Sequence, residues 1–153
     1  RHLCEEAECD YPSDYILVYN LGAVSDEIKH CATTLASNKG LKIIAVEDCK
    51  VIKYADCSFN DCGPTEFVKL ISNASYVVTN SFHATAFSLI FNKEFFVYIK
   101  NTTSSRISDV LSMVKLSERM NTTNFELSVN WDNVNEMLND TICSSKNLLN
   151  NNL

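Results

Sequence analysis

A short buried strand leads directly into a buried helix in residues 75–91, SYVVTNSFHATAFSLIF. The apolar, β-branched run Ser75–Thr79 is typical of a strand that is covered on both faces. Ala84–Phe91 has almost no polar face, which predicts a helix packed inside the protein. Between these two elements, Asn80–His83 form a short polar turn. Because core elements flank this turn on both sides, its polar side chains have little freedom.

The alternation of strand and helix continues in both directions along the chain. Further buried strands are predicted at Tyr15–Tyr19, Leu41–Val46 and Phe95–Ile99. Helices are predicted between Ser25 and Gly40, from Pro64 to Ala74, from Arg106 to Val114, and from Trp131 onward. Strands that alternate with helices favour a parallel sheet covered on both faces. We therefore predict an α/β, Rossmann-like three-layer domain with a parallel sheet of at least four strands.

Two stretches have no clear period. Residues 47–62 are acidic and cysteine-rich and are predicted to be irregular. Residues 117–130 are polar and turn-like, with Phe125, Leu127 and Val129 alternating as a possible short strand.

Length and composition limit the possible classes of protein. The chain has 153 residues, enough for one domain, and we assign residues 1–13 to a lead-in and 14–153 to the domain. It begins with Arg1, so we expect a longer protein with an upstream segment. The net charge is −6 and basic residues form no block, which argues against a nucleic-acid partner. No apolar run approaches the roughly 20 residues that cross a bilayer.

Seven cysteines are present, and an odd number does not make a complete disulfide framework. The spacings Cys4–Cys9 and Cys57–Cys62 allow a zinc site, but structural zinc sites usually have tighter spacing, so we favour reduced thiols and no metal. Cys31 lies on the apolar stripe of a predicted helix and is interpreted as a small buried side chain.

Ligands in open α/β sheets bind beyond the carboxyl ends of the strands. That rule selects residues 20–22, 47–48, 79–83 and 100–106, of which the third group is a polar cluster confined between a buried strand and a buried helix. The helix that follows it presents free N–H groups to a phosphate or carboxylate, and the Ser81 and Thr85 hydroxyls add donors. His83 can donate to an anion or transfer a proton near neutral pH. Alternatively, Asn80 and Ser81 only cap the helix and His83 is a half-buried structural residue.

Arg106 follows the last predicted strand, at the same edge of the sheet as His83. A guanidinium there can hold a carboxylate or phosphate in a fork, although the alternative is a solvated charge. A cation at a helix start opposes the dipole and so favours a specific partner. Arg119 is interpreted as helping to end the preceding helix, and His30 as a surface residue.

Several strings together resemble the polysaccharide pyruvyl transferase family. They are Gly63–Phe67, Ile71–Ala74, Val77–His83, Thr85–Ser88, Ser105–Ile107 and Trp131–Asn135. The resemblance runs from about Asp14 to the end and corresponds to the C-terminal half of such proteins. It implies one half of a two-domain, GT-B-like glycosyltransferase architecture, whose cleft needs the missing N-terminal half as partner.

The resemblance also implies an activity. Characterised members transfer the enolpyruvyl carbons of phosphoenolpyruvate to two sugar hydroxyls, forming a cyclic ketal and releasing phosphate. His83 is then expected near the donor, with Arg106 on its carboxylate or phosphate. Asn80, Ser81, Thr85 and Glu66 are expected among the substrate-binding residues. The acceptor is expected to be a sugar of a bacterial surface glycan or its lipid-linked precursor, with no cofactor, in the cytoplasm or at the inner face of the membrane.

This chain departs from the family pattern beside the histidine. Characterised transferases often carry Arg-Leu before it and Gly after it, whereas here Ser81-Phe82 precede His83 and Ala84 follows. Two alternatives therefore stand beside the pyruvyl transferase. One is a nucleotide-sugar glycosyltransferase of the same architecture, and the other is a non-catalytic Rossmann-like binding module. The isolated domain is expected to be inactive alone.

Overall fold

A five-stranded, all-parallel sheet lies at the centre of the computed structural model, which describes residues 14–23, 25–47, 53–59, 62–99 and 105–150. The strands are β1 (Tyr15–Asn20), β2 (Lys42–Glu47), β3 (Cys57–Phe59), β4 (Tyr76–Thr79) and β5 (Glu94–Val97). The helices are α1 (Asp26–Lys39), α2 (Pro64–Asn73), α3 (Phe82–Ile90), α4 (Ser105–Met113) and α5 (Trp131–Asn150). The predicted lead-in, 1–13, and the loop at 100–104 lie outside the described residues.

Two hydrophobic clusters cover opposite faces of the sheet, because successive strand residues point to opposite sides. Ile16 and Val18 of β1 belong to the cluster that α1 covers with Ile28, Cys31, Ala32 and Leu35. Tyr15 and Leu17 belong to the other cluster, which draws on α2, α3, α4 and α5. The predicted α/β, Rossmann-like three-layer fold is confirmed. Among the described residues, no helix is both long enough and apolar enough to cross a membrane.

The strand order places the candidate ligand site. In the sheet the order is β3-β2-β1-β4-β5. The chain therefore adds β2 and β3 on one side of β1 and then adds β4 and β5 on the other side. The order therefore reverses between β1 and β4. In open α/β sheets the crevice at the carboxyl ends of two such strands is the usual ligand site.

Most predicted element ends agree with the structure to within one residue. The Ser25 hydroxyl accepts a hydrogen bond from the Ile28 N–H at 3.2 Å and caps α1. Gly40 ends the same helix with φ +67°, a left-handed conformation that glycine adopts without steric cost. Pro64 opens α2 as predicted.

Three predictions at the level of elements were wrong. Helix α3 begins at Phe82 rather than Ala84, because Ser81 is the extended residue that precedes it. The irregular stretch 47–62 contains the short strand β3, which pairs with β2. Residues 125–129 form no strand, because the Val129 N–H donates to the Glu94 carboxylate at 2.9 Å instead of to a neighbouring strand.

Arg119 was interpreted as helping to end the preceding helix, whereas the structure shows that it is a core residue. Its side chain is fully buried, and its Nη2 lies 2.7 Å from the Glu94 Oε2. Its Nη1 donates to the Phe95 carbonyl at 3.3 Å, and the guanidinium lies 5.2 Å from the centre of the Phe96 ring. Glu94 thus holds both Arg119 and Val129, which fixes the segment after α4 against the start of β5.

We expect Glu94→Gln to lower the free energy of unfolding by about 3–5 kcal/mol, because it leaves a buried guanidinium without a counter-charge. Urea denaturation measures the change. The matched control is Glu126→Gln, which removes the exposed Lys39–Glu126 pair at 3.6 Å and should cost less than about 1 kcal/mol. Equal losses in the two variants would contradict a structural role for the buried pair.

Cys31 is buried as predicted, and burial raises its thiol pKa from 9.0 to about 12, partly offset by a hydrogen bond with Tyr98. At pH 8 we expect iodoacetamide to label the exposed Cys143 and to leave Cys31 unmodified, as read by peptide mass spectrometry. The raised pKa means that the folded protein retains a proton which the unfolded chain releases. The stability from this site is therefore complete below pH 9 and is lost as the pH rises toward 12. Labelling of native Cys31 as fast as Cys143 would contradict the burial of the Cys31 thiol.

Candidate functional site

A cavity of about 800 Å³ opens at the carboxyl ends of β1 and β4. Its walls come from the loop after β1, the first two turns of α1, the mouth of α3, the residues after β5, the start of α4 and the segment 121–125. The cavity therefore lies at the reversal of strand order, where the fold predicts a ligand. Among the described residues, no group of three or more His, Cys, Asp or Glu side chains is arranged to hold a metal.

The Asn80 side chain joins the two loops that form the floor of this cavity. Its Oδ1 accepts from the Leu21 N–H at 2.7 Å, and its Nδ2 donates to the Leu21 carbonyl at 2.9 Å. One carboxamide thus satisfies both backbone groups of a residue 59 positions away. The Thr79 hydroxyl adds a second tie by donating to the Tyr19 carbonyl at 2.6 Å. The Thr79 bond thus reinforces the last β1–β4 pair, and the Asn80 bonds extend the pairing beyond the ends of the strands.

Ser81 places an unused hydroxyl at the mouth of α3. Its backbone is extended, with φ −97° and ψ 134°, and its side chain does not cap the helix. The residue lines the cavity, is 1% exposed, and its Oγ has no hydrogen-bond partner among the described residues. A buried hydroxyl without a partner costs free energy, which a ligand atom can recover by hydrogen bonding to it.

Three helix N-termini reach the cavity, those of α1, α3 and α4, and the first two differ in charge. The mouth of α1 is capped by Ser25 and carries Asp26 and Glu27 in its first turn. The mouth of α3 has no side-chain cap and no acidic residue in its first turn. Carboxylates offset the positive end of a helix, so α1 is neutralised while α3 keeps its attraction for anions. An anionic ligand is therefore directed to α3.

At the N-terminus of α3, the side chains of His83 and Arg106 both lie against the ring of Phe82. The Arg106 guanidinium carbon lies 5.2 Å from the centre of the Phe82 ring, within the range of a cation–π interaction. The His83 imidazole lies 5.9 Å from the same ring, nearly edge-on at 75°. His83 and Arg106 are both exposed and both line the cavity. The imidazole and the guanidinium thus lie on one rim of the cavity, and Arg106 has no ion pair with any described residue.

The other two predicted substrate-binding residues do not line this cavity. Thr85 is fully buried, and its hydroxyl donates back to the Ser81 carbonyl at 2.9 Å. Glu66 accepts from the Gly63 N–H at 2.6 Å and so caps its own helix, α2. Thr85 supports the position of Ser81. Glu66 lies on α2 and is not among the residues that line the cavity.

The opposite wall of the cavity, on α1, was not predicted from the sequence. Glu27 and His30, one helical turn apart on α1, line the cavity, although His30 was interpreted only as a surface residue. The rule that selects residues after each strand also applies to α1, because this helix follows β1. Applying that rule to the first two turns of α1 identifies both side chains.

The segment 121–125 completes the wall through contacts that the local sequence does not reveal. The Asn121 Oδ1 accepts from the Ile99 N–H at 2.9 Å, and the Asn121 Nδ2 donates to the Ile99 carbonyl at 3.4 Å. The Tyr98 hydroxyl donates to the Thr122 carbonyl at 2.7 Å. Burial, followed by hydrogen bonding with Cys31 and the nearby Glu27 charge, raises the pKa of Tyr98, so the hydroxyl keeps its proton as a donor.

Comparison with known proteins identifies a family. The family model described as Polysaccharide pyruvyl transferase matches residues 1–100, about two thirds of the chain. The matched residues include Asn80, Ser81 and His83 and end before Arg106. A search of curated proteins finds no match.

We expect inorganic phosphate to bind at the α3 mouth, and Phe82→Leu to weaken that binding about 2- to 5-fold because the Arg106 guanidinium loses its aromatic support. Titration calorimetry on the chain measures the affinity. In an Arg106→Gln background, Phe82→Leu should have no further effect. Lys69→Gln, which removes an exposed cation of α2 outside the cavity, is the control and should leave the affinity unchanged. If Phe82→Leu weakened phosphate binding equally in the Arg106→Gln background, that result would contradict the cation–π contact between Phe82 and Arg106 as the cause.

Proposed function

The chain belongs to the polysaccharide pyruvyl transferase family, and we propose that it takes part in transferring a pyruvyl group from phosphoenolpyruvate to two hydroxyls of a sugar. The acceptor is a sugar of a bacterial cell-surface polysaccharide or its lipid-linked precursor. The observation that carries this proposal is the meeting of His83 and Arg106 on the Phe82 ring at the uncapped mouth of α3.

Phosphoenolpyruvate carries a phosphate and a carboxylate, so its site needs two groups that favour negative charge. The α3 mouth supplies free backbone N–H groups and the positive end of the helix. Arg106 supplies a guanidinium that can take either anion in a fork. The Ser81 hydroxyl, which has no hydrogen-bond partner in the part of the chain that the structure describes, adds a neutral donor where characterised transferases of the family often carry arginine. Arg106 therefore takes over the role of the cationic clamp in this chain.

The reaction needs an acid beside the donor. Protonated His83 donates a proton to the methylene carbon of the enol, which leaves positive charge on the carbon that bears the carboxylate. A sugar hydroxyl oxygen bonds to that carbon and releases its proton. Phosphate then leaves with the electron pair of its carbon–oxygen bond, and a second hydroxyl closes the ketal. One hydroxyl proton replaces the proton given by His83, and the other leaves with phosphate, so the protons balance.

The proposal extends to the setting of the reaction. An upstream half of the same protein supplies the facing wall of the cleft, and this domain alone does not turn over substrate. The reaction takes place in the cytoplasm or at the inner face of the membrane. No cofactor takes part, because proton transfer and the anion contacts supply the chemistry that ketal formation requires.

We expect His83→Gln to reduce phosphate release from phosphoenolpyruvate by about 10²- to 10⁴-fold, because the positioned acid is lost. The assay uses the protein expressed from its complete open reading frame, with methyl galactoside, methyl mannoside and methyl glucoside as acceptors. Binding of phosphoenolpyruvate, measured by calorimetry, should change only a few-fold. Asp140→Asn, an exposed change on α5, serves as the control and should retain full activity.

Three results would count against this function. The first is no phosphate release by the unaltered protein with any of the acceptors. The second is calorimetric binding of a nucleotide sugar but not of phosphoenolpyruvate, which would favour a glycosyltransferase. The third is no shift in melting temperature with either donor, which would favour a non-catalytic binding module.

A further inference from the structure

We infer that the α1 wall of the cavity, formed by Glu27 and His30 with the Phe125 ring beside them, binds the hydroxyl groups of the sugar acceptor. This inference rests on the proposed function and assigns the acceptor to residues that the donor does not use. It divides the cavity into an anion-binding end at α3 and a neutral, hydroxyl-binding end at α1.

The electrostatic contrast between the two helix mouths supports this division. Asp26 and Glu27 neutralise the first turn of α1, and Ser25 already occupies the Ile28 N–H. A carboxylate on the cavity wall repels the phosphate and carboxylate of the donor. The same carboxylate is a strong hydrogen-bond acceptor for an uncharged hydroxyl. Glu27 therefore disfavours the donor and favours a polyol.

An aromatic surface lies next to these polar groups. The Phe125 ring lies 5.8 Å from the His30 imidazole at 63°, and 5.8 Å from the Phe96 ring at 84°. Phe96 is fully buried, so Phe125 is held from behind by the core. Small-molecule sites combine apolar or aromatic walls with a few placed polar groups. A sugar ring presents that combination, because its C–H bonds can contact an aromatic ring while its hydroxyls bond to Glu27 and His30.

The segment 121–125, which carries Phe125, is also held in place by hydrogen bonds within the protein. The Tyr98 hydroxyl holds the Thr122 carbonyl at 2.7 Å, and the Asn121 carboxamide holds the backbone of Ile99. Thr122 and Thr123 line the cavity beside Phe125. A preformed wall avoids part of the ordering cost of binding.

The test compares Glu27→Gln and His30→Gln with Glu136→Gln in the protein from the complete open reading frame. Glu136 is an exposed carboxylate on α5 that does not line the cavity, so Glu136→Gln makes the same change of charge away from the site and is a matched control. We expect Glu27→Gln and His30→Gln to raise the KM for methyl galactoside, or whichever methyl glycoside is turned over, by about 10-fold or more. The KM for phosphoenolpyruvate should not rise, and Glu136→Gln should leave both values unchanged. Circular dichroism checks that each variant is folded.

A binding measurement separates this inference from the proposed function. Saturation-transfer NMR with the three methyl glycosides needs no turnover, and the signal should weaken in Glu27→Gln and persist in Glu136→Gln. Absence of phosphate release by the unaltered protein would overturn the proposed function, whereas this NMR result would still support a sugar site at α1. Glycoside signals or KM values that are the same in Glu27→Gln as in the unaltered protein would overturn the inference. So would a rise confined to the KM for phosphoenolpyruvate.

Discussion

The paired hydrogen bonds between the Asn80 carboxamide and the Leu21 backbone set the spacing of the two loops on which the site depends. Parallel strands end with unpaired N–H and C=O groups, and loops that leave them are free to separate. Here a side chain continues the pairing for one more residue. The Asn121 carboxamide makes the same pair of contacts with Ile99 at the end of β5. Two asparagines thus hold two walls of one cavity against the edge of the sheet.

The second constraint is the asymmetry of the helix mouths around that edge. A three-layer α/β fold necessarily brings several helix N-termini to the same side as the carboxyl ends of the strands. The fold alone does not say which of them receives an anion. The choice is made by a few side chains, since α1 carries a capping serine and two carboxylates whereas α3 carries neither. The difference in anion affinity between these two helix mouths therefore follows from side chains in the first turn of each helix.

The sequence was sufficient for features that depend on local pattern. Short apolar runs, the Ser25 cap, Gly40 and Pro64 are local signals, and they located the strands and most helix ends. The start of α3 was ambiguous because Asn80 and Ser81 are both residues that favour helix caps, and only the backbone angles of Ser81 decide between them. Strand β3 has three residues and gains its structure from pairing with β2, so its own sequence carries no strand signal.

The same distinction between local sequence signals and long-range contacts applies to the candidate site. Asn80, Ser81, His83 and Arg106 could be predicted because each follows a strand that the sequence reveals. The core role of Arg119 depends on Glu94, 25 positions earlier, and a local reading treats any arginine after a helix as exposed. The 121–125 wall is positioned by contacts with Tyr98 and Ile99, more than 20 residues away in the chain. Long-range contacts of this kind leave no period in the sequence.

The use of asparagine side chains as strand extensions has a consequence for the chemical ageing of the protein. Deamidation at Asn80 or Asn121 would replace an N–H donor with a negative oxygen facing a backbone carbonyl. Attraction would become repulsion at the point where the loop is tied to the sheet. The hydrophobic core would remain intact, so the aged protein would keep its fold while its cavity lost its shape.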